Sequence, residues 1–98
     1  MDPERLSDIQ IADVVIATAG REKGKLFYVI DVDDCYLSLV NGKDRTLEQP
    51  KRKKRKHVEK VLRSETRVAE KLRQGDKVLN SELRRDLAYL SREMQVTT

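Results

Sequence analysis

The sequence is poor in the residues that build catalytic and metal centres, with one cysteine and one histidine among 98 residues. A lone cysteine, Cys35, excludes an intrachain disulfide and a zinc site built from cysteines. Nothing in the sequence brings Cys35 and His57 together as a nucleophile and its base, the pair that covalent catalysis needs. We therefore expect a protein that is not an enzyme and that carries no cofactor and no metal ion.

Long hydrophobic runs are also absent. The longest uninterrupted apolar run, from Leu26 to Ile30, is far shorter than the roughly 20 residues of a membrane-spanning helix. The first residues include Asp2, Glu4 and Asp8 and lack the apolar segment of a signal peptide. We expect a soluble, cytoplasmic monomer with no membrane partner.

Aromatic residues are scarce, and the chain is richer in charge than an ordinary globular domain, with 38% hydrophobic and 39% charged residues. Three of the four aromatic residues, Phe27, Tyr28 and Tyr36, fall within ten positions of one another. The core is therefore expected in the first half of the chain. Because so short a chain buries only about 60% of its unfolded surface, we expect the second half, or a bound partner, to add stability.

Positive charge is concentrated in one segment. The net charge is only +4, but residues 51–56 hold six of the 21 basic residues, and the other 15 face 17 acidic ones. A concentrated positive field of this kind suits a polyanion.

The first half of the chain has the pattern of short β-strands. After a lead-in at residues 1–11, strands are predicted at 13–18, 25–33 and 35–40, where β-branched and aromatic residues cluster. Asn41-Gly42 predicts a tight hairpin, and residues 45–48 a short fourth strand. Pro50 is expected to end the pairing, because proline cannot donate to a ladder. This spacing favours a small barrel or a strongly curved sheet.

The second half has a helical pattern. Val58, Val61 and Leu62 have helical spacing, although residues 58–62 also fit a fifth strand. A helix is predicted at 65–73, ending at Gly75, and another beginning at an Asn80 N-cap with Glu82 in its first turn. The apolar stripe of this second helix consists of Leu83, Leu87, Leu90 and Met94. The stripe either docks on the body of the protein or fits the groove of a partner helix.

The segment from Ala19 to Lys25 joins the first two predicted strands. Gly20 and Gly24 allow the positive φ of a turn, and Arg21, Lys23 and Lys25 place three cations on it. The segment is either a phosphate site or a solvated hairpin loop.

The basic run that ends at His57 has three interpretations: a solvated surface, a targeting signal or a contact with polyphosphate. We favour the third, because a small barrel would bring this run and the loop onto one surface. His57 then adds a phosphate contact or is a strand residue. Asp31, Asp33 and Asp34 lack the ligand set of a calcium loop and are expected in a solvated turn or in a salt bridge to a nearby lysine. Tyr36 is the one candidate for base stacking, with a core position favoured.

Residues 12–57 resemble the KOW motif proteins, which share a strand, a glycine-and-lysine loop and a second hydrophobic strand. The likeness is to small bacterial KOW-domain RNA-binding proteins, which resemble a KOW-type protein of the archaeal and eukaryotic large ribosomal subunit. The basic run contributes Pro50-Lys51 at its start and Lys56-His57 at its end. The other matching residues are Val15, Ile16, Ala19, Gly20, Arg21, Lys23, Gly24, Lys25, Phe27, Tyr28, Val29, Asp33, Asp34, Tyr36, Leu39, Asn41 and Gly42.

The resemblance implies an SH3-like five-stranded β-barrel followed by one or two helices, a mainly β fold with a C-terminal α part. It also favours a fifth strand at about 57–62 over the helix. The chain then divides into a lead-in at 1–11, a barrel at 12–62 that includes the basic segment 51–57, and a helical extension at 63–98. Two departures mark this chain: Ala12 replaces a glycine frequent in the family, and Leu26-Phe27 replaces a second one.

The function that follows is non-catalytic binding of structured RNA, often ribosomal RNA, with ribosomal proteins as further partners. Phosphate contacts carry such binding without reading sequence. The expected RNA-binding residues are Gly20, Arg21, Lys23, Gly24, Lys25, Lys51, Arg52, Lys53, Lys54, Arg55, Lys56 and His57. The alternative is a protein-interaction module in ribosome assembly or transcription that uses the C-terminal apolar helix.

Overall fold

The computed structural model describes residues 9–94, so most of the expected lead-in, residues 1–8, lies outside the described part. Five antiparallel strands form one sheet in the order β4-β3-β2-β1-β5, and two helices follow. The strands are β1 Asp13–Ala17, β2 Leu26–Val32, β3 Tyr36–Val40, β4 Lys51–Lys54 and β5 Val58–Arg63, and the helices are α1 Arg67–Gln74 and α2 Asn80–Met94. The fold is therefore mainly β with a C-terminal α part, as predicted.

The fourth strand is not where the sequence predicted it. Residues 45–48 lie in an irregular loop, and the basic run itself forms β4, with Lys53 opposite Leu37 of β3. In this loop a side chain, rather than a neighbouring strand, pairs with backbone N–H groups. Asn41 Oδ1 accepts hydrogen bonds from the N–H groups of Lys43 and Arg45 at 2.9 and 3.0 Å. The tight hairpin expected at Asn41-Gly42 is thus a longer loop, and Pro50 precedes a strand rather than ending the pairing.

The fifth strand confirms the expectation taken from the resemblance and contradicts the helical spacing. β5 pairs antiparallel with β1, with Val58 opposite Ala17 and Leu62 opposite Val14, and the register shifts between Val14 and Val15. A helical pattern over so few residues is weak, and pairing with a neighbouring strand overrides it.

The sheet curls strongly. β4 and β5 are its opposite edges, which in a flat sheet would lie roughly 19 Å apart. A single 3₁₀ turn, Arg55–His57, connects them, and a link of that length spans at most about 14 Å. The edges must therefore approach each other at this end, although no ladder joins β4 to β5 within residues 9–94. The inner face buries one apolar cluster, built from Ile9, Val15, Ala17, Phe27, Val29, Leu37, Leu39 and Val58.

The helices cover the other face of the sheet. Leu83, Leu87 and Leu90 of α2 are buried in a second cluster with Tyr28 and Val40, and Met94 packs against it. The apolar stripe is therefore a docking face for the body of the protein. Helix α1 is capped at its N-terminus by Thr66, whose Oγ1 accepts from the Ala69 N–H, and at its C-terminus by Gly75 with φ +74°.

The N-cap predicted at Asn80 is wrong. Asn80 Oδ1 accepts from the Leu47 N–H at 2.9 Å, and its amide nitrogen donates to Glu48 at 2.8 Å. Asn80 therefore ties α2 to the loop before β4. The Glu82 carboxylate accepts a hydrogen bond from the Leu79 N–H at 2.9 Å. This is the hydrogen bond that the acidic residue of a capping box makes.

A buried polar network joins the sheet to both helices. The Tyr28 hydroxyl is 2.8 Å from Ser64 Oγ and donates a short hydrogen bond to Asp86 of α2. The Thr66 hydroxyl also donates to Asp86, at 2.8 Å. Burial, and then the Asp86 carboxylate, raise the pKa of Tyr28 well above its usual value, so the phenol stays protonated and donates.

Ala12 has a backbone conformation that glycine usually adopts. It is the one non-glycine residue within 9–94 with positive φ, at +72°, and its side chain is fully buried. The Asp13 N–H donates to the Gln10 carbonyl at 3.1 Å, which closes a turn with Ala12 at its third position. A positive φ at that position alone defines a type II turn. The site is thus the one at which the resemblance leads one to expect glycine.

Candidate nucleic-acid interface

The loop between β1 and β2 is held in one conformation by its own backbone. Gly20 and Gly24 have φ values of +79° and +89°. The Gly24 N–H donates to the Ala17 carbonyl at 2.8 Å, and the Lys25 N–H to the Glu22 carbonyl at 2.9 Å. The positive φ predicted for both glycines is confirmed, and the loop presents its side chains from a fixed frame.

The charged side chains of this loop differ in their surroundings. Arg21 and Lys23 are exposed. Glu22 between them is buried and pairs with Arg45 at 3.3 Å, which anchors the loop to the segment before β4.

Lys25, the third predicted cation, is half-buried and pairs with Asp44 at 2.6 Å. Its hydrogen bond holds the pKa of Asp44 below the usual value, so the carboxylate stays charged. Two of the three predicted cations of the loop are therefore open to a ligand, and the third is neutralised within the chain.

The basic run meets this loop through one buried lysine. Successive side chains of a strand point to opposite faces, so Lys53 points to the inner face, and Arg52 and Lys54 point to the outer one. Lys53 is only 8% exposed, and its Nζ donates to the Ala19 carbonyl at 2.8 Å. The structure thus brings β4 and the start of the loop together, but it uses Lys53 to do so.

The turn after β4 also contacts residues on either side of β1. The His57 carbonyl accepts from the Thr18 N–H at 2.8 Å, and Arg55 donates to the Ile9 carbonyl at 3.4 Å. Lys56 is exposed, and Lys51 is half-buried beside Leu39. Of the predicted cations, the exposed ones are Arg21, Lys23, Arg52, Lys54 and Lys56.

Sequence reasoning missed a cleft beside the loop. It has a volume of about 280 Å³ and lies between the start of β2, the loop after β3 and helix α2, where it is lined by Lys25, Leu26, Asn41, Lys43, Asp44, Arg84, Leu87 and Ala88. Arg84 donates to the Gly42 carbonyl, which fixes the rim. Of its lining residues, only Lys25 was a predicted site residue, because the approach of α2 is a tertiary contact that no local pattern contains.

Residues 9–94 contain neither a cluster of metal-ligand side chains nor a membrane-spanning helix. No group of three or more histidine, cysteine, aspartate or glutamate side chains converges there as metal ligands would. Neither helix of this part of the chain is long and apolar enough to cross a bilayer.

The chain matches no family model and no curated protein. The likeness to the KOW proteins thus rests on the residues of the loop, its flanking strands and the basic run.

Proposed function

We propose that this chain is a non-catalytic, cytoplasmic RNA-binding protein of the KOW type, associated with the ribosome, whose curled sheet is an SH3-like barrel. It binds structured RNA through phosphates. Arg21 and Lys23 contact the RNA backbone from the loop, and Lys54 of β4 and Lys56 of the turn after it supply further phosphate contacts. Gly20 and Gly24 allow the loop to approach the phosphates closely.

One observation carries this proposal: the hydrogen bond from Lys53 to the Ala19 carbonyl at 2.8 Å. It fixes the loop against the strand that holds the basic run, so two separate cationic segments form one rigid unit. Arg21, Lys23, Lys54 and Lys56 are exposed, and no ion pair engages them within residues 9–94. Cations without an internal partner are the ones that gain from releasing the counterions of a polyanion.

The salt dependence of binding tests the proposal. If those four cations each neutralise one phosphate, log K falls by roughly 3 units per tenfold rise in salt. Fluorescence anisotropy with a labelled RNA hairpin at several salt concentrations measures this slope. Absent binding, or binding indifferent to salt, would refute the proposal.

Single charge removals sharpen the test. Lys54→Gln should reduce the slope by roughly 0.7–0.9, the contribution of one phosphate. Lys77→Gln is the matched control, because Lys77 is an exposed lysine between the two helices and lies outside the proposed surface. Substitution is preferable to deleting residues 51–56, since that deletion removes β4. An equal effect of both substitutions would contradict the assignment of the surface.

A further inference from the structure

Arg52 is the one cation of the basic run whose exposed side chain is held in place from two sides. Its guanidinium carbon lies 4.3 Å from the centroid of the Tyr36 ring. Its NH2 is 3.2 Å from Asp33 Oδ2, and 65% of its side chain is nevertheless exposed. We call Arg52, Tyr36 and Asp33 together the Arg52 platform.

The strand register builds this platform. Arg52 lies opposite Ser38, and Lys54 lies opposite Tyr36, so Arg52 and Tyr36 are diagonal neighbours on one face. Side chains at this separation reach each other when one is aromatic or long.

The turn between β2 and β3 orients the carboxylate of the platform. Asp33 Oδ1 accepts from the N–H groups of Cys35 and Tyr36 at 3.0 and 2.8 Å. These backbone hydrogen bonds, Tyr36 first, hold the pKa of Asp33 below its usual value. The carboxylate is therefore ionised at neutral pH and aims its second oxygen at Arg52.

A guanidinium group held in this way has a specific use. The guanidinium carbon lies over the tyrosine ring, and 65% of the Arg52 side chain remains exposed to a ligand. Unstacked bases of RNA stack on arginine planes as they do on aromatic rings. Because the side chain is already ordered, a ligand loses less of its binding free energy in fixing it. A point charge for phosphate alone needs no such support.

The geometry points to a subsite for one unpaired nucleobase on the outer face of Arg52, with Lys54 beside it for the adjoining phosphate. This inference rests on the proposed function and adds the class of RNA: a folded RNA with an unstacked nucleotide, such as a bulge, is preferred to a continuous duplex.

Three hairpins with the same stem test the inference: one fully paired, one with a single bulged adenosine and one with an abasic bulge at the same place. The abasic bulge keeps the phosphate and the distortion of the helix and lacks only the base. The full-length protein should bind the adenosine bulge about 5-fold more tightly than the abasic one, the scale of an exposed cation–π or stacking contact.

Variants of the platform identify the group responsible. Arg52→Lys keeps the charge and loses the plane, so the preference for the base should vanish, with an affinity for the paired hairpin within about 2-fold of the original. Asp33→Asn keeps an oxygen for the turn and removes the ion pair, and it should reduce the preference. Lys54→Gln is the control on the same face of the same strand and should weaken all three complexes by one factor.

The outcomes separate the two proposals. If Arg52→Lys retains the full preference for the base, or if the original protein has none, the platform is overturned and phosphate binding stands. If the original protein binds none of the hairpins, the proposed function fails as well. A loss of preference in Arg52→Lys together with an unchanged preference in Lys54→Gln supports the subsite.

Discussion

The left-handed conformation of Ala12 makes a quantitative prediction about stability. Ala12 is the one non-glycine residue within 9–94 that has a positive φ, at +72°, and its side chain is fully buried. An L-residue in this region is strained by roughly 1–2 kcal/mol because Cβ approaches the following carbonyl oxygen. Glycine has no Cβ, so Ala12→Gly relieves that strain.

Two losses offset this gain. Removing a buried methyl group costs about 0.8 kcal/mol, and glycine makes the unfolded chain more flexible, which costs about 0.5–1 kcal/mol. We therefore expect Ala12→Gly to change the free energy of unfolding by less than about 1 kcal/mol. The matched control is Ala69→Gly in α1, which loses an equally buried methyl group. It relieves no strain and costs about 1 kcal/mol more in helix propensity, so it should destabilise by about 2 kcal/mol.

Urea unfolding followed by circular dichroism measures both variants. The comparison is valid if the two unfolding transitions have equal m-values, since only then does a difference in midpoint report a difference in stability. Equal destabilisation by Ala12→Gly and Ala69→Gly would refute the assignment of strain to Ala12. A stability gain of more than about 1 kcal/mol in Ala12→Gly would mean that its buried methyl group contributes little.

Three further outcomes follow from the same structure. Gly42→Ala should destabilise the protein by more than about 2 kcal/mol in thermal or urea unfolding, because φ of Gly42 is +77° and the new Cβ would collide with the Asn80 carbonyl. Gly24 has φ +89° and open space around it, so Gly24→Ala should cost only the backbone strain of about 1–2 kcal/mol. Thr66→Ala should cost about 1–2 kcal/mol by loss of the N-cap, and Thr66→Ser should retain most of the stability. The free energy of unfolding should decrease as the pH is lowered below about 4, because hydrogen bonds from Lys25 and Lys71 lower the pKa values of Asp44 and Glu82. This contribution to stability is complete above the pKa of the unfolded state and is lost as the pH falls through the pKa of the folded state. Asp44→Asn should reduce this acid sensitivity when unfolding is measured from pH 7 to pH 2.

The strands that could be predicted from the sequence are those whose own residues favour strands. β1, β2 and β3 consist largely of valine, isoleucine, leucine and aromatic residues, and local preference and burial agree there. β4 is Lys-Arg-Lys-Lys, which has no such preference. It forms because β3 offers an edge, and lysines are tolerated on an edge strand because they discourage pairing with another chain. No local pattern contains that information.

The candidate site divides in the same way. Sequence reasoning identified the cations of the loop and the run but could not distinguish the free ones from the engaged ones. The acceptors of Lys25, Lys53 and Arg55 are 19, 34 and 46 residues away along the chain. Composition records how many charges a segment carries, whereas their availability depends on tertiary contacts of this length.

The conversion of the basic run into a strand changes what the run can recognise. A flexible basic tail follows any polyanion and loses conformational entropy when it does so. On β4 the outward cations Arg52 and Lys54 are two residues apart, or roughly 6.7 Å, and the sheet fixes their spacing. Lys53, which would be a third charge on a tail, anchors the loop instead. Fewer charges are available, but the backbone positions that carry them are set before binding, and for an RNA of matching shape this reduces the entropy lost on association. Under the proposed function, selection by shape, rather than by the amount of negative charge, is the property that this fold adds to the sequence.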